Sequence, residues 1–277
     1  MDLREFIIAS LNEDIGSGDH TSLSTIPSNK IGKARLLVKE DGIVAGIEVA
    51  LAIFNEVDST LHIEVKSRDG NNVVPGDELF YVEGSVQSIL KAERLVLNCM
   101  QRMSGIATTT NKYVKTIEGT NAKILDTRKT TPLLRLLEKH AVKIGGGFNH
   151  RFGLYDMILI KDNHVDSAGG ITPALQRAKK YTIENGLQIP IEIETRTFEE
   201  IKEVLISGIA NRIMFDNFSP EKVKEAVTIV NKKAETEASG GITIANIKEY
   251  AMTGVDYISV GALTHSVKSL DLSLKII

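Results

Sequence analysis

The chain has 277 residues, 42% of them hydrophobic and 25% charged, an ordinary composition for a globular protein of one or two domains. A net charge of -3 argues against a general role on nucleic acid or on a membrane surface, so any polyanion chemistry must be local. The single cysteine, Cys99, excludes an internal disulfide framework and a cysteine-based zinc cage, and no apolar run approaches the roughly 20 residues that a membrane span needs.

In chain order, "MDLREFIIASLNED" reads as an acidic amphipathic helix rather than a signal peptide, and a soluble, cytoplasmic protein is expected. After "EDIGSGDHTS" come strand-like runs, "KARLLVKEDGIVAGI" and "LHIEVKSRDGNNVVPGDELFYVEGSV", punctuated by Gly, Pro and Asp-Gly. Within the second, "VVPGDELFYVEG" looks like a turn joining two antiparallel strands. Residues 1–104 are therefore expected to form an α+β open sandwich. From Ser88, Ile89, Ala92, Val96, Cys99 or Met100, Met103 and Ala107 recur at helical spacing, with Leu90, Leu95 and Leu97 on the other side. A helix apolar over most of its surface is buried on several sides.

After Gly119 six short runs, "AKILDTRK", "DMILIKDN", "IPIEIETR", "NRIMFDNF", "TEASGG" and "DYISVGAL", alternate for the most part with amphipathic segments. Strands alternating with helices predict βαβ units and a parallel sheet. With no dinucleotide fingerprint, the pattern favours an incomplete β/α barrel of six to seven strands over residues 105–265. The fold class is then α/β, with active-site residues at the C-terminal ends of the strands.

Those ends are polar. The first carries Asp126, Thr127, Arg128 and Lys129, with "TRKTTP" predicting a helix start at Pro132. Two cations there would oppose the helix dipole, which points to an anion site rather than to stability. Between Asp126 and His164 stand seven Lys or Arg, three His and four acids, a net of +3 inside a chain of net -3. Gly145, Gly146 and Gly147 permit close backbone approach and lead into His150 and Arg151. Lys161 ends the next strand, where a buried ammonium would need an anion beside it. His140 reads as structural. Glu192 and Glu194 share one strand face and Asp216 ends the following strand. These carboxylates serve either to balance the cations or as hydroxyl and Mg²⁺ ligands, directly or through water. "SGG" (Ser239, Gly240, Gly241) and "VGA" (Val260, Gly261, Ala262) are glycine turns placed as a phosphate cradle, with His265 either helping or merely exposed. The pattern describes a sugar phosphate carrying extra anionic charge, together with a small carboxylic acid.

Taken with "AERLVLNCMQRMSGIAT", "LDTRKTTP", "KIGGGFNHRFGLYDMILIKDNH", "IEIET", "FDN", "EASGGI" and "DYISVGALTHS", the chain closely resembles the quinolinate phosphoribosyltransferase family, nearly end to end. The resemblance implies transfer of phosphoribosyl from phosphoribosyl pyrophosphate to quinolinate with loss of CO2, in NAD biosynthesis, with Mg²⁺. It implies a C-terminal tail, residues 266–277, that returns to the first domain. It also implies a homodimer or larger homo-oligomer with shared active sites. Arg128, His150, Arg151 and Lys161 resemble the quinolinate pocket, with Thr127 and Lys129 beside them. Lys129 also resembles a contact to the leaving pyrophosphate, and Arg94 an arginine supplied across the subunit interface. Glu194 and Asp216 resemble the carboxylates near the ribose hydroxyls and Mg²⁺, where they would act on the transition state. The two glycine turns resemble the 5'-phosphate loops. Arg196 departs from the family pattern. The alternatives are a paralogous phosphoribosyltransferase acting on a different base (molybdenum-transport-associated type), a Schiff-base aldolase using Lys161, and a non-catalytic phosphoribosyl-binding regulator.

Overall fold

Asp2 caps the first helix, α1 (Leu3–Ile15): its carboxylate accepts from Glu5 N while the Glu5 carboxylate accepts from Asp2 N. Ile7 and Leu11 form the buried stripe of this helix. Asp19 likewise caps the short α2 (His20–Thr25). The computed structural model describes residues 2–277.

The next elements are β1 (Ile31–Val38), β2 (Gly42–Ile43), α3 (Ile47–Val57), β3 (His62–Val65), β4 (Asn72–Val73) and β5 (Glu78–Ser85). On β1, Ala34, Leu36 and Val38 are fully buried and alternate with partly exposed residues, the period-two signature of a half-buried strand. Phe80 of β5 meets Phe54 of α3 edge to face at 5.8 Å. "VVPGDELFYVEG" does turn, with Asp77 N donating to Val74 O at 3.1 Å, but its flanks are not a hairpin. β4 pairs with β2, and β5 lies between β1 and β3. The helix α3 has no counterpart among the sequence-predicted elements. Gly46 starts it at φ +100, and the Ile47 N–H is capped by Asp69, 22 residues away, so no local capping signal exists.

Helix α4 (Val86–Thr116) runs 31 residues, and Ile89, Ala92, Val96, Met100, Met103 and Ala107 are fully buried, as their spacing predicts. Beyond it come β6 (Lys123–Leu125), α5 (Arg135–Ile144), β7 (Ile158–Ile160), α6 (Asp162–Ala168), α7 (Ile171–Glu184), β8 (Ile191–Thr195), α8 (Phe198–Ser207), β9 (Arg212–Asp216), α9 (Pro220–Val230), β10 (Glu235–Ser239), α10 (Ile247–Ala251), β11 (Tyr257–Ser259), α11 (Ala262–His265) and β12 (Leu272–Ile276).

The chain divides into two units. The first comprises residues up to Asn111, Thr130–Gly146 and Leu263–Ile277; the second comprises Lys112–Lys129 and Gly147–Ala262. The division does not follow a single cut near residue 104, because α4 is continuous there and α5 clusters with the first unit. In the first unit an antiparallel sheet has the order β12-β1-β5-β3, so the C-terminal tail supplies an edge strand, with Leu274 opposite Leu36 and Leu272 opposite Val38. Arg102 on α4 ties the distant segments of this unit together: it donates to Glu138 on α5 at 2.8 and 3.0 Å and to the carbonyls of Thr264 and Val267.

The second unit is a six-stranded parallel sheet of order β6-β11-β10-β9-β8-β7. The last strand bonds the first, and every other neighbour is sequential, as in a barrel. β6 and β7 do not pair as strands; β6 instead makes one parallel bridge, Leu125 to Phe148, with the segment that precedes β7. The result is an α/β fold with an incomplete barrel, and the six predicted runs are its six strands. Ile193, Ile213, Phe215, Ala238 and Ile258 are fully buried, as strands covered by helices require.

Candidate active site

Because β6 to β11 are parallel, their C-terminal ends share one rim. Asp126 to Lys129, Lys161, Glu194, Asp216, Ser239 to Gly241 and Val260 to Ala262 all follow or end these strands. Arg94 and His265 belong to the first unit.

At the first strand end the local structure differs from the sequence-based expectation. Helix α5 begins at Arg135, not at Pro132, and Thr127 Oγ1 instead accepts from Lys129 N at 3.0 Å. Thr131 turns back onto Glu138, giving its N–H at 3.1 Å and its hydroxyl at 2.8 Å. Arg128 and Lys129 therefore stand in irregular chain, and no dipole argument applies to them. Arg151 is 9% exposed, and burial lowers its pKa, with the neighbouring Arg128 guanidinium as the next cause. Two guanidinium groups that repel in a partly dry site form a place for an anion.

Lys161 is half exposed rather than buried, and the anion expected beside it comes from within the chain, Glu194 Oε1 at 2.9 Å. Its backbone N caps α6 by donating to His164 Nδ1 at 2.9 Å, which gives His164 a local structural task. The three glycines also divide. Gly145 has ordinary helical φ and lies against α4, where an added Cβ would come within 2.5 Å of Ala107 O, so it makes room for a helix and not for a ligand. Gly146 alone of Gly145 and Gly146 has positive φ, +90.

On β8 and β9, Glu194 and Asp216 stand on adjacent strands near the rim. The Asp216 carboxylate accepts from Asn217 Nδ2 at 2.9 Å. Asn217 has φ +56, a conformation that Asn tolerates, and donates its N–H to Ser239 O at 2.9 Å. Gly240 and Gly241 both have positive φ, +94 and +63, and no room exists for a Cβ at Gly240 because Asn217 fills it. The cradle "SGG" and the carboxylate of Asp216 are thus locked together through Asn217, which sequence reasoning passed over inside "FDN". Val260 is buried and its N–H donates to Leu125 O at 2.9 Å, leading into Gly261 and Ala262.

Below the rim the interior is charged. Glu192 and Glu237 are fully buried, and His150 is 8% exposed. His150 Nε2 lies 3.0 Å from Glu192 Oε2 and 3.6 Å from Glu237 Oε2, and Arg212 Nη1 is 3.1 Å from Glu237 Oε2. Burial pushes Glu192 up to about 7 and Glu237 up to about 8; the Arg212 guanidinium opposes the rise at both, and for Glu237 the neighbouring Glu192 charge adds to it. The alternation of "IEIE" places Glu192 with Glu194 on one face, but nothing in "TEASGG" marks Glu237 as interior.

In the first unit, Arg94 is exposed on α4 and lines a cavity of about 390 Å³ with Phe6, Asn98, Leu133 and Leu137. Leu133 is 75% exposed there with φ +66. His265 is exposed at the end of α11, with Nδ1 2.6 Å from Ser266 Oγ. Among the described residues no helix is long and apolar enough to cross a membrane.

Comparison with known proteins covers nearly the whole chain. Residues 19–104 match the N-terminal domain, and residues 106–275 the C-terminal domain, of quinolinate phosphoribosyl transferase. The chain is 49% identical over 290 residues to a quinolinate phosphoribosyltransferase [decarboxylating] 2, mitochondrial, of Nicotiana glauca, covering 99% of this chain and 82% of that one. It is 43% identical over 264 residues to a probable nicotinate-nucleotide pyrophosphorylase [carboxylating] of Bacillus subtilis, covering 95% and 90%. Among solved structures, NadC from Streptococcus pyogenes superposes with a TM-score of 0.94 at 36% identity, covering 99% and 95%. The nicotinate-nucleotide pyrophosphorylase from Francisella tularensis superposes at 0.93 and 41% identity, covering 99% and 96%. With both domain models matched and near-complete coverage by relatives up to 49% identical, the chain belongs to the quinolinate phosphoribosyltransferase family.

Proposed function

We propose that this chain transfers the phosphoribosyl group of phosphoribosyl pyrophosphate to quinolinate, releasing pyrophosphate and CO2 and forming nicotinate mononucleotide for NAD synthesis. The observation that carries this reading is the buried Arg151, near enough to Arg128 for the two positive charges to repel, a repulsion that a dicarboxylate relieves. Arg128, Arg151 and Lys161 orient the dicarboxylate, with Thr127, Lys129 and His150 beside them. Ser239, Gly240, Gly241, Val260, Gly261 and Ala262 take the 5'-phosphate. His265 is exposed and carries no assigned contact in this reading.

The pyridine nitrogen attacks ribose C1 as the bond from C1 to the pyrophosphate oxygen breaks. Lys129 meets the negative charge on the leaving group. Glu194 and Asp216 face the positive charge that develops on the ribose, where fixed charges count most. Attack leaves the ring nitrogen quaternary, so the electron pair freed when the C2 carboxylate departs as CO2 is held beside a cationic nitrogen. Lys161 or water then returns one proton to that carbon. Glu194 and Asp216 also fit Mg²⁺, directly or through water: both are oxygen donors near the rim, and Asp216 is oriented by Asn217. When bound, the ion would neutralise pyrophosphate charge.

A Schiff-base aldolase is disfavoured because the Lys161 amine is engaged by Glu194 at 2.9 Å. Assembly into at least a dimer is part of the proposal. It is supported by the exposed Leu133, which lines the same cavity as Arg94. Arg94 would then complete a neighbouring site. The cytoplasmic assignment is also a proposal; the Nicotiana glauca relative is named as mitochondrial. Calorimetric titration with quinolinate tests the pocket: Arg128→Ala should lose binding while keeping its circular dichroism spectrum. Native affinity in that variant would reject the pocket.

A further inference from the structure

His150 is placed by the sequence among the cations that grip the substrate, yet its surroundings are interior. Its backbone N–H donates to the buried Asp126 Oδ1 at 2.9 Å. Its ring Nδ1 accepts the backbone N–H of Arg151 at 2.7 Å. A ring nitrogen that accepts carries no hydrogen, so in a neutral imidazole the proton is on Nε2. That Nε2–H faces two carboxylates, Glu192 at 3.0 Å and Glu237 at 3.6 Å. The Glu192 contact is close without being a linear hydrogen bond, and the two buried carboxyl groups of Glu192 and Glu237 lie against each other beneath the ring.

Three buried groups of this kind resemble a cation site. The hydrogen-bond pattern argues otherwise. A metal needs the Nε2 lone pair, and metal-bound imidazoles give their other N–H to an acceptor, whereas Nδ1 here is itself an acceptor. The Arg212 guanidinium, 3.1 Å from Glu237 Oε2 and 4.0 Å from Glu192 Oε2, already supplies a positive charge to both carboxylates.

What the arrangement does is hold backbone. Two successive amide N–H groups, those of His150 and Arg151, are pinned by Asp126 and by the imidazole, and the imidazole is braced from beneath by Glu192 and Glu237. Arg151 leaves the chain at this point, and its Nη1 is tethered once more, to Met157 O at 3.3 Å. We propose that His150 is a positioning residue. Its neutral Nε2–H form, braced by Glu192 and Glu237, presents Nδ1 to the Arg151 backbone and sets where the Arg151 guanidinium stands. The positive charge that meets the dicarboxylate then comes from Arg128, Arg151 and Lys161. This rests on the quinolinate pocket proposed above.

Two measurements test it. Long-range proton–nitrogen spectra of ¹⁵N-histidine protein at pH 7.5, assigned by loss of one signal in a His150 variant, should show His150 with protonated Nε2 and unprotonated Nδ1. An imidazolium, or the Nδ1–H form, overturns the proposal. Steady-state kinetics should then separate His150→Asn, whose amide oxygen can replace the Nδ1 acceptor, from His150→Phe, which keeps a ring and loses it. His150→Phe should raise the KM for quinolinate about 10-fold or more, as expected for one lost buried hydrogen bond, with the KM for phosphoribosyl pyrophosphate within about 2-fold, and His150→Asn should recover a large part of the loss. Equal losses in both variants, or equal effects on both substrates, overturn it. Arg151→Ala is the control. If it leaves the quinolinate KM unchanged, the pocket falls and the positioning role with it. If it raises that KM while the two His150 variants match each other, only the positioning role falls.

Discussion

Gly240→Ala probes the link between the phosphate cradle and Asp216. An added Cβ would lie 2.2 Å from Asn217 Oδ1, 2.6 Å from its Cγ and 2.9 Å from its backbone N, at a backbone φ of +94. The side-chain atoms can swing away, but doing so breaks the 2.9 Å bond from Asn217 Nδ2 to Asp216, and the backbone N cannot swing. Positive φ costs a non-glycine residue roughly 1–2 kcal/mol and overpacking roughly 1–3, so the sum is about 2–5 kcal/mol. Gly241→Ala is the matched comparison: φ is +63 and nothing lies within 4 Å, leaving only the backbone term of about 1–2 kcal/mol. Urea unfolding should place Gly240→Ala well below Gly241→Ala in midpoint, and the KM for phosphoribosyl pyrophosphate should rise more in the former. Equal midpoints and equal KM values would show that Asn217 does not join cradle and carboxylate.

Three further outcomes are expected. Glu138→Ala leaves Arg102 without its buried partner and should destabilise by about 3–5 kcal/mol, with Glu138→Gln recovering part; thermal unfolding reads this, and a neutral Glu138→Ala would refute the tie. Glu237, raised to about 8 from 4.5, is neutral when folded and ionised when unfolded over that interval, so its contribution to stability falls as pH rises from about 5 to 8. The melting temperature of Glu237→Gln should therefore gain on the parent chain as pH is raised through that window, whereas parallel curves would place Glu237 in a wetter site. Mixing Arg94→Ala with Lys161→Ala should restore some activity if subunits share sites; exchange without recovery would refute sharing.

The barrel was legible because its strands are short apolar runs ending in polar residues, such as Ile158 to Ile160 before Lys161, and covered strands leave that trace. The helices between the strands were legible as amphipathic segments, and in the structure α8 and α9 start at Thr197 and Ser219, each accepting from a backbone N–H three residues on. Helix α3 was not, because its cap, Asp69, arrives from a distant loop. Pro132 misled because a Thr-Pro pair fits either a helix start or a turn, and the choice was made by Thr131 reaching Glu138. Candidate rim residues could be named from strand ends alone. The interior could not: Glu192 was visible with Glu194 on one strand face, but Glu237 carried no signal, and only the assembled sheet shows that both, with Arg212 and His150, share a dry space. Lys161 was visible as a cation, but its pairing with Glu194 joins two strands that no local pattern connects.

The most direct test follows quinolinate labelled in the C2 carboxylate, incubated with phosphoribosyl pyrophosphate and Mg²⁺. The expected result is labelled CO2 and nicotinate mononucleotide in equal amounts, with no CO2 when phosphoribosyl pyrophosphate is omitted. Turnover of nicotinate in place of quinolinate, or a nucleotide product without CO2, would contradict it.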